Sequence, residues 1–472
     1  MVTFILGLPL IAGGVVFALP KNRLRNVVLI GVSLVHLLAV ASFWISPPMG
    51  ILNGFLALDP LGLIILSIES VLFFAVSLYV PAYVADEPGR SNRVFNGCIL
   101  LLLFSVTLVT LSQHLGLFWV AIEATTLMSA PLINFHRRAR ALEATWKYLM
   151  IGSVGIALAL LGTFFMALSA AGIKSLVLSD VLSQASSLSV PWLKLGVIFL
   201  VVGYGTKMGL VPMHSWKPDA YGEAPGPVGA LLAGGLTNCA FLAFLRVSQI
   251  CHQAHQTEFL SPILLMFGML SIALAAFCML GQVYLNRLLA YSSIEHMGIL
   301  ILGLGLGGAG FYGSLFHAVN NSFSKGLIFL VAGNIYQKYR SQRLSDIHGV
   351  VKVYPFTGGL LVAAMLAVTG IPPFGTFFSE WMILSAALDG RHYGLAFCYL
   401  LFLSVVFIAF ISAILKMARG APDEALVART HKDSWTTILP PMALAGLTLL
   451  LGIYVPSFLD QALKNSSALL GG

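Results

Sequence analysis

Four acids and three lysines stand where an apolar chain has little reason to carry them. Glu69, Glu123, Glu295 and Glu380, with Lys147, Lys207 and Lys325, fall inside or at the edge of long hydrophobic runs. An ionised side chain at the centre of a bilayer costs about 2.5–3.5 kcal/mol on insertion scales, so groups of this kind are kept for a partner or for a function. A lysine in low dielectric is pushed toward its neutral form by desolvation and held charged by a nearby carboxylate. Glu123 with Lys207 is therefore a candidate switch, the lysine releasing a proton when the carboxylate moves or is neutralised. His317 and Lys325, with Asn321 midway, are spaced to fall on one helical face and form a polar stripe. His296, directly after Glu295, adds a second group that titrates near neutral pH. One isolated histidine reads best as a helix-to-helix hydrogen bond, but together these groups outweigh that reading and point to proton transfer. Glu380, beyond the Pro372-Pro373 pair, is placed to receive protons from the stripe. Lys147, beside Trp146, suits snorkelling to the interface nearly as well as conduction, and Glu69 is equally open. His36 and His114 read as structural.

The elements that must position these groups are set by composition. Of 472 residues, 58% are hydrophobic and only 9% charged, which is the composition of a membrane protein rather than of soluble domains. The net charge of +8 is spread over short gaps between apolar runs, with no basic tract to suggest nucleic acid, so membrane orientation accounts for it better. Five cysteines without C-x-x-C spacing give no reason to expect a disulfide framework, an iron–sulfur cluster or any other cofactor. No H-x-x-x-H or comparable set suggests a metal, and no G-x-S-x-G, no Walker A and no G-x-G-x-x-G opening a soluble βαβ unit suggests a catalytic centre. The first apolar run, Met1–Leu19, lacks a basic leader and is followed by Pro20, Lys21, Arg23 and Arg25, which suits a retained span.

With about 20 apolar residues per crossing, the chain divides into fourteen spans, from 1–19 to 436–460. Eighteen of the 26 Lys and Arg then fall on odd-numbered connections and their flanks, and four on even-numbered ones. That asymmetry puts both termini on the non-cytoplasmic side of a prokaryotic inner membrane. Spans seven (191–222) and twelve (354–389) are too long for a straight crossing and are interrupted, the former at Pro212 and the latter at Pro372 and Pro373. They lie five spans apart, and that odd offset gives the two copies opposite orientations, as in inverted-topology repeats. A simple proline kink, common in membrane helices, is the alternative to a broken helix. The expected fold is therefore an all-α membrane protein of about fourteen transmembrane helices, with helices seven and twelve discontinuous. Residues 1–92 hold helices 1–3, 93–250 the first inverted repeat, 260–416 the second and 417–472 helix 14.

The same residues carry a resemblance. Glu123, the run Gly205-Thr206-Lys207 followed by Pro212-Met213-His214-Ser215-Trp216-Lys217-Pro218-Asp219-Ala220, Leu288 to Ser293, His317 to Lys325, and Gly370-Ile371-Pro372-Pro373-Phe374 leading to Glu380 resemble the antiporter-like membrane subunits shared by respiratory complex I, Mrp-type sodium/proton antiporters and energy-converting hydrogenases. Within that superfamily, Ser292-Ser293-Ile294-Glu295-His296-Met297-Gly298 looks most like the F-type membrane chains of hydrogenase-4. The resemblance implies two half-channels related by an in-plane pseudo-twofold axis and joined by a polar axis. It also implies an ion pair of Glu123 with Lys207, a further functional lysine at Lys147, and Glu380 as the last group of the second half-channel. His214, Asn238, Glu295 and Asn321 would support the axis. Asn238 and Asn321 depart from the lysine and histidine that the family often has there, and an amide holds water without carrying a proton. The implied activity is proton translocation as a subunit without catalysis of its own, beside other membrane subunits and a peripheral NiFe hydrogenase or NADH/quinone module. A Na+/H+ antiporter or inorganic-carbon uptake subunit, and a non-conducting scaffold, stay open.

Overall fold

The computed structural model describes residues 1–85, 91–421 and 433–472. Among these residues the chain is helical, with only isolated β-bridges and no strand. Four helices open the chain: α1 (Val2–Ala18), α2 (Asn22–Phe43), α3 (Pro60–Ala85) and α4 (Arg93–Leu111). They are followed by α5 (Leu115–Ile133), α6 (Ala139–Ser169), the short α7 (Leu178–Ser183), α8 (Val190–Met208) and α9 (Trp216–Glu223). Next come α10 (Gly226–Leu231), α11 (Thr237–Gln253), α12 (Thr257–Met279), α13 (Leu285–Leu306) and α14 (Ala309–Tyr339). The chain ends with α15 (Val350–Val353), α16 (Pro355–Val368), α17 (Gly375–Asp389), α18 (Tyr393–Ala418), α19 (Trp435–Ile453) and α20 (Ser457–Ala468).

Eleven helices among the described residues are long and apolar enough to cross a membrane, and α1 and α16 are shorter apolar helices. The protein is thus a multi-span membrane protein. The 31-residue α14 is outside those eleven because its middle carries His317, Asn320, Asn321 and Lys325. All four side chains are fully buried, so α14 never has to be compatible with lipid. Burial sorts the bundle into a centre and a shell. The most hydrophobic stretches of α10–α11 and α13 are 100% and 94% buried, against 28% for α18. Outer helices turn large apolar side chains such as Met150, Phe277, Phe397 and Ile453 outward, which is where a bilayer or a neighbouring subunit supplies the apolar solvent.

Both expected helix interruptions are present. α8 ends at Gly209, which adopts a left-handed conformation (φ +80°) that ends helices readily because it has no Cβ. The break leaves carbonyls without helical partners, and side chains from the next segment take them. Trp216 Nε1 donates to Thr206 O and Lys217 Nζ to Met208 O, each at 2.9 Å. Ser271 of α12 accepts from the Val211 amide at 3.0 Å. The second break, between α16 and α17, turns at Gly370 (φ +60°), and Gly452 of α19 lies so close to Pro373 O that no side chain fits between them.

Two charges counted toward the sidedness pattern have other roles. Lys217 is completely buried and holds the broken end of α8. Arg246 is also buried, donating to Ser112 O and Thr110 O and lying over the Phe118 ring. Arg90, Arg429 and Lys432 of the same pattern lie outside the described residues. Span eight, read as one helix, contains a π-turn at Leu232–Leu236 between α10 and α11. Such turns often mark functional positions.

Candidate functional site

The break after α8 presents Lys207 from its last turn into the buried interior of the bundle. Its ammonium donates to Thr126 Oγ1 of α5 at 2.7 Å and to Tyr148 Oη of α6 at 3.1 Å. Thr126 in turn donates to Glu123 Oε2 at 3.2 Å. The expected Glu123–Lys207 ion pair is therefore not in direct contact. Thr126, one turn after Glu123 on the same face, stands between them, and Glu123 itself is half-buried with Ser153 at 3.4 Å. A hydroxyl can accept from the lysine while donating to the carboxylate, so it carries either a proton or the electrostatic influence of one. Removing that hydroxyl by Thr126→Val is expected to slow proton transfer through the chain roughly ten-fold, with assembly unchanged; the initial rate of acidification in membrane vesicles measures this.

Lys147 is on the outside of α6. Its side chain is 46% exposed and pairs with Glu143 at 2.7 Å and Asp219 at 3.0 Å. Asp219 also meets Arg287 at 3.3 Å. These groups line a cavity of about 800 Å³ shared with Arg138, Arg343 and Glu223. Lys147 thus lies at a charged mouth, one residue from the Tyr148 that touches Lys207. His214 is half-buried in the segment between α8 and α9, with Nδ1 unpartnered.

The second constellation is drawn from α13, α14 and α17. Lys325 is fully buried and donates to Ser292 Oγ at 2.6 Å. Ser292 lies 3.5 Å from Glu295 Oε2, and the same carboxylate oxygen is 3.8 Å from His296 Nε2. His296 Nδ1 faces His317 Nε2 at 3.0 Å, the two rings being stacked, and His317 Nδ1 meets Ser379 Oγ at 2.8 Å. Adjacent to Ser379 is Glu380, half-buried against Gly370 and bordering a cavity of about 520 Å³. Trp381, Leu400 and Ile408 line that cavity and are themselves exposed, so it opens sideways from the bundle. The structure thus brings His317 and Lys325 of the sequence-derived stripe together with Glu295, His296 and Glu380, while Ser292, which the sequence reading did not single out, stands between Lys325 and Glu295. Lysine, carboxyl and imidazole groups are of kinds that can take up and release a proton, and a hydroxyl can pass one on.

The family described as NADH:quinone oxidoreductase/Mrp antiporter, TM, matches residues 112–409, more than half of the chain. The chain belongs to this family. Across 432 residues it is 34% identical to the hydrogenase-4 component F homolog of Methylacidiphilum infernorum, with 89% of each chain covered. It is 32% identical over 351 residues to the N subunit of the NADH-quinone oxidoreductase of Desulforudis audaxviator, covering 73% of this chain and 68% of that one. In fold it matches a chain of an archaeal membrane-bound sulfane sulfur reductase (TM-score 0.87, 21% identity, 99% and 97% covered). It also matches a chain of the Mrp complex from Dietzia sp. DQ12-45-1b (TM-score 0.86, 20% identity, 99% and 97% covered).

Between the two constellations of this antiporter-family chain lie the departures Asn238 and Asn321. Both are fully buried. Asn238 Nδ2 donates to Ser322 Oγ at 2.8 Å, leaving its Oδ1 unpartnered, and neither amide atom of Asn321 has a partner. Thr126, Tyr148 and Ser292 are the participants that sequence reading did not single out as carriers. Among the described residues, His296, His317 and Glu380 are the one group that offers three possible metal ligands, all within 4.8 Å of one another. They come from three helices, so no spacing along the chain could announce them. The two imidazoles occupy each other's facing nitrogens, and the Lys325 charge reaches Glu380, a setting that favours proton exchange over a cation.

Proposed function

We propose that this chain is a proton-translocating, antiporter-like subunit of a membrane-bound respiratory or hydrogenase complex. The observation that carries the proposal is the run of closely spaced groups from Lys325 through Ser292, Glu295, His296 and His317 to Glu380, hydrogen-bonded from Lys325 to Ser292 to Glu295 and between the two histidines, with Glu295 3.8 Å from His296 and Glu380 within 4.8 Å of both imidazoles. Protons enter at the Lys147–Asp219 mouth and load Lys207. When Glu123 moves from Thr126 or is neutralised, Lys207 loses its stabilising counter-charge and releases its proton inward. Lys325 receives it and the histidines pass it to Glu380, which delivers it to the lateral cavity. No step requires a cofactor in this chain, so the driving energy comes from partner membrane subunits and a peripheral redox module. Likeness to the hydrogenase-4 component F homolog favours a NiFe hydrogenase module, with an NADH/quinone module as the alternative.

In this reading the protein makes fourteen crossings of the inner membrane, with 93–250 and 260–416 as two inverted repeats. Residues 1–92 and 417–472 flank them, and both termini face away from the cytoplasm. The two breaks, each opposite a titratable group, support the repeat: Lys207 precedes one and Glu380 follows the other. The intact complex in inverted vesicles is expected to acidify the lumen during turnover equally well in sodium-free medium, and to co-purify with a redox module. Sodium-dependent transport without that module would replace this reading with an antiporter.

A further inference from the structure

The relay described above has a gap at its centre, where the family often places a lysine and this chain has Asn238. A neutral amide can orient water but cannot hold the transferred proton. One titratable group lies beside it. Glu69 of α3 is completely buried, and α3 packs against α10, α11 and α14. Its carboxylate lies against the π-turn at Gly235, where any Cβ would collide with Oε2, so the glycine and the widened turn together make room for it. Its Oε1 is 4.0 Å from Cys239 Sγ, and Cys239 lies in the electrostatic field of both Glu69 and Lys207. Next to Cys239, Asn238 reaches across to Ser322 of α14, three residues before Lys325.

A second observation marks the place as polar. Glu69 Oε2, Asn238 Oδ1, both amide atoms of Asn321 and Ser324 Oγ are buried without protein partners. Buried polar atoms are nearly always satisfied, so a concentration of such atoms on three adjoining helices calls for bridging water. A carboxylate held purely for structure would be expected to have a cation or several N–H donors around it, as buried charges generally do.

We propose that Glu69 is the proton-carrying carboxyl at the junction of the two halves, supplying from α3 the titratable group that Asn238 lacks. The inference rests on the proton-relay reading. The Lys207 ammonium gives one proton through water to the Glu69 carboxylate, leaving a neutral amine and a carboxylic acid. The acid then gives that proton, through water held by Asn238, Asn321 and Ser322, to the neutral amine of Lys325. Glu69 returns to the carboxylate and no electrons move.

The test uses the intact complex in vesicles, with Glu69→Gln and, as the reference for the relay itself, Lys325→Ala. Glu69→Gln keeps size and hydrogen-bonding capacity and is expected to lower turnover-driven acidification roughly ten-fold or more, with full assembly on native gels. Turnover-induced infrared difference spectra should lose one protonated-carboxyl band in the same variant. Normal pumping by Glu69→Gln beside a dead Lys325→Ala would overturn this inference and leave the relay standing. Normal pumping by both would remove the relay and this inference with it. Lost pumping with the carboxyl band retained would assign Glu69 a structural role and overturn the proposal.

Discussion

Replacing Lys325 by Ala is expected to reduce turnover-driven proton transfer by about 10²-fold while the protein still inserts and assembles. The lysine has no exposure, is held by Ser292 at 2.6 Å, and lies within electrostatic reach of Glu295 and Glu380. It is the one group that joins the junction at Asn238 and Ser322 to the histidine pair. Loss of its side chain leaves His317 as the titratable group of α14 nearest the junction. Assembly should survive because the α14 backbone and its neighbouring small residues remain. Lys325→Arg separates two explanations. If only positive charge mattered, the guanidinium would serve. If the residue must release its proton, the guanidinium fails, because it does not deprotonate in proteins. We expect Lys325→Arg to be as inactive as Lys325→Ala, read out as acidification of the vesicle lumen per redox turnover.

How much of this was legible beforehand follows from the kind of signal each feature leaves. The broken helices were readable because Gly205, Gly209 and Pro212, and Gly370, Pro372 and Pro373, are local instructions that act wherever they stand. Glu295, His296, His317, Lys325 and Glu380 were readable because an ionisable group in an apolar run is anomalous in itself. Their order of contact was not, since it depends on how α13, α14 and α17 face one another. Hydroxyls gave least warning: Thr126, Tyr148 and Ser292 are ordinary residues of membrane helices, and only their placement between charges gives them a role. Thr126 did leave a faint trace, because three residues after Glu123 is the same helix face. Lys217 was misassigned for the opposite reason. It lies in the most hydrophilic stretch of its span and looks like a surface charge, yet it serves the Met208 carbonyl that the break exposes. Counting charges between spans cannot detect a carbonyl that has lost its helical partner.

Glu380→Gln should come close to Lys325→Ala in effect, but for a different reason, and the two can be told apart. Glutamine reproduces the shape that fits against Gly370 and the break, so packing around α17 and α19 should hold. What it loses is the ability to take a proton from the histidine pair and release it to the lateral cavity. Acidification is expected to fall by about 10²-fold. Geometry then makes a sharper statement. Glu380 borders a cavity of about 520 Å³ that opens at the bundle surface, whereas Lys325 is sealed on every side. A small carboxylic acid such as acetate can therefore reach the position vacated in Glu380→Ala and stand in for the missing group, while no small amine can reach the space left in Lys325→Ala. Acetate should restore part of the pumping in the first variant, and methylamine none in the second. Restoration of neither would mean that the cavity is covered by a neighbouring subunit or that Glu380 is not the terminal carrier. Crosslinking from a cysteine at Leu400, on the cavity's rim, decides between those two by showing whether another chain lies over it.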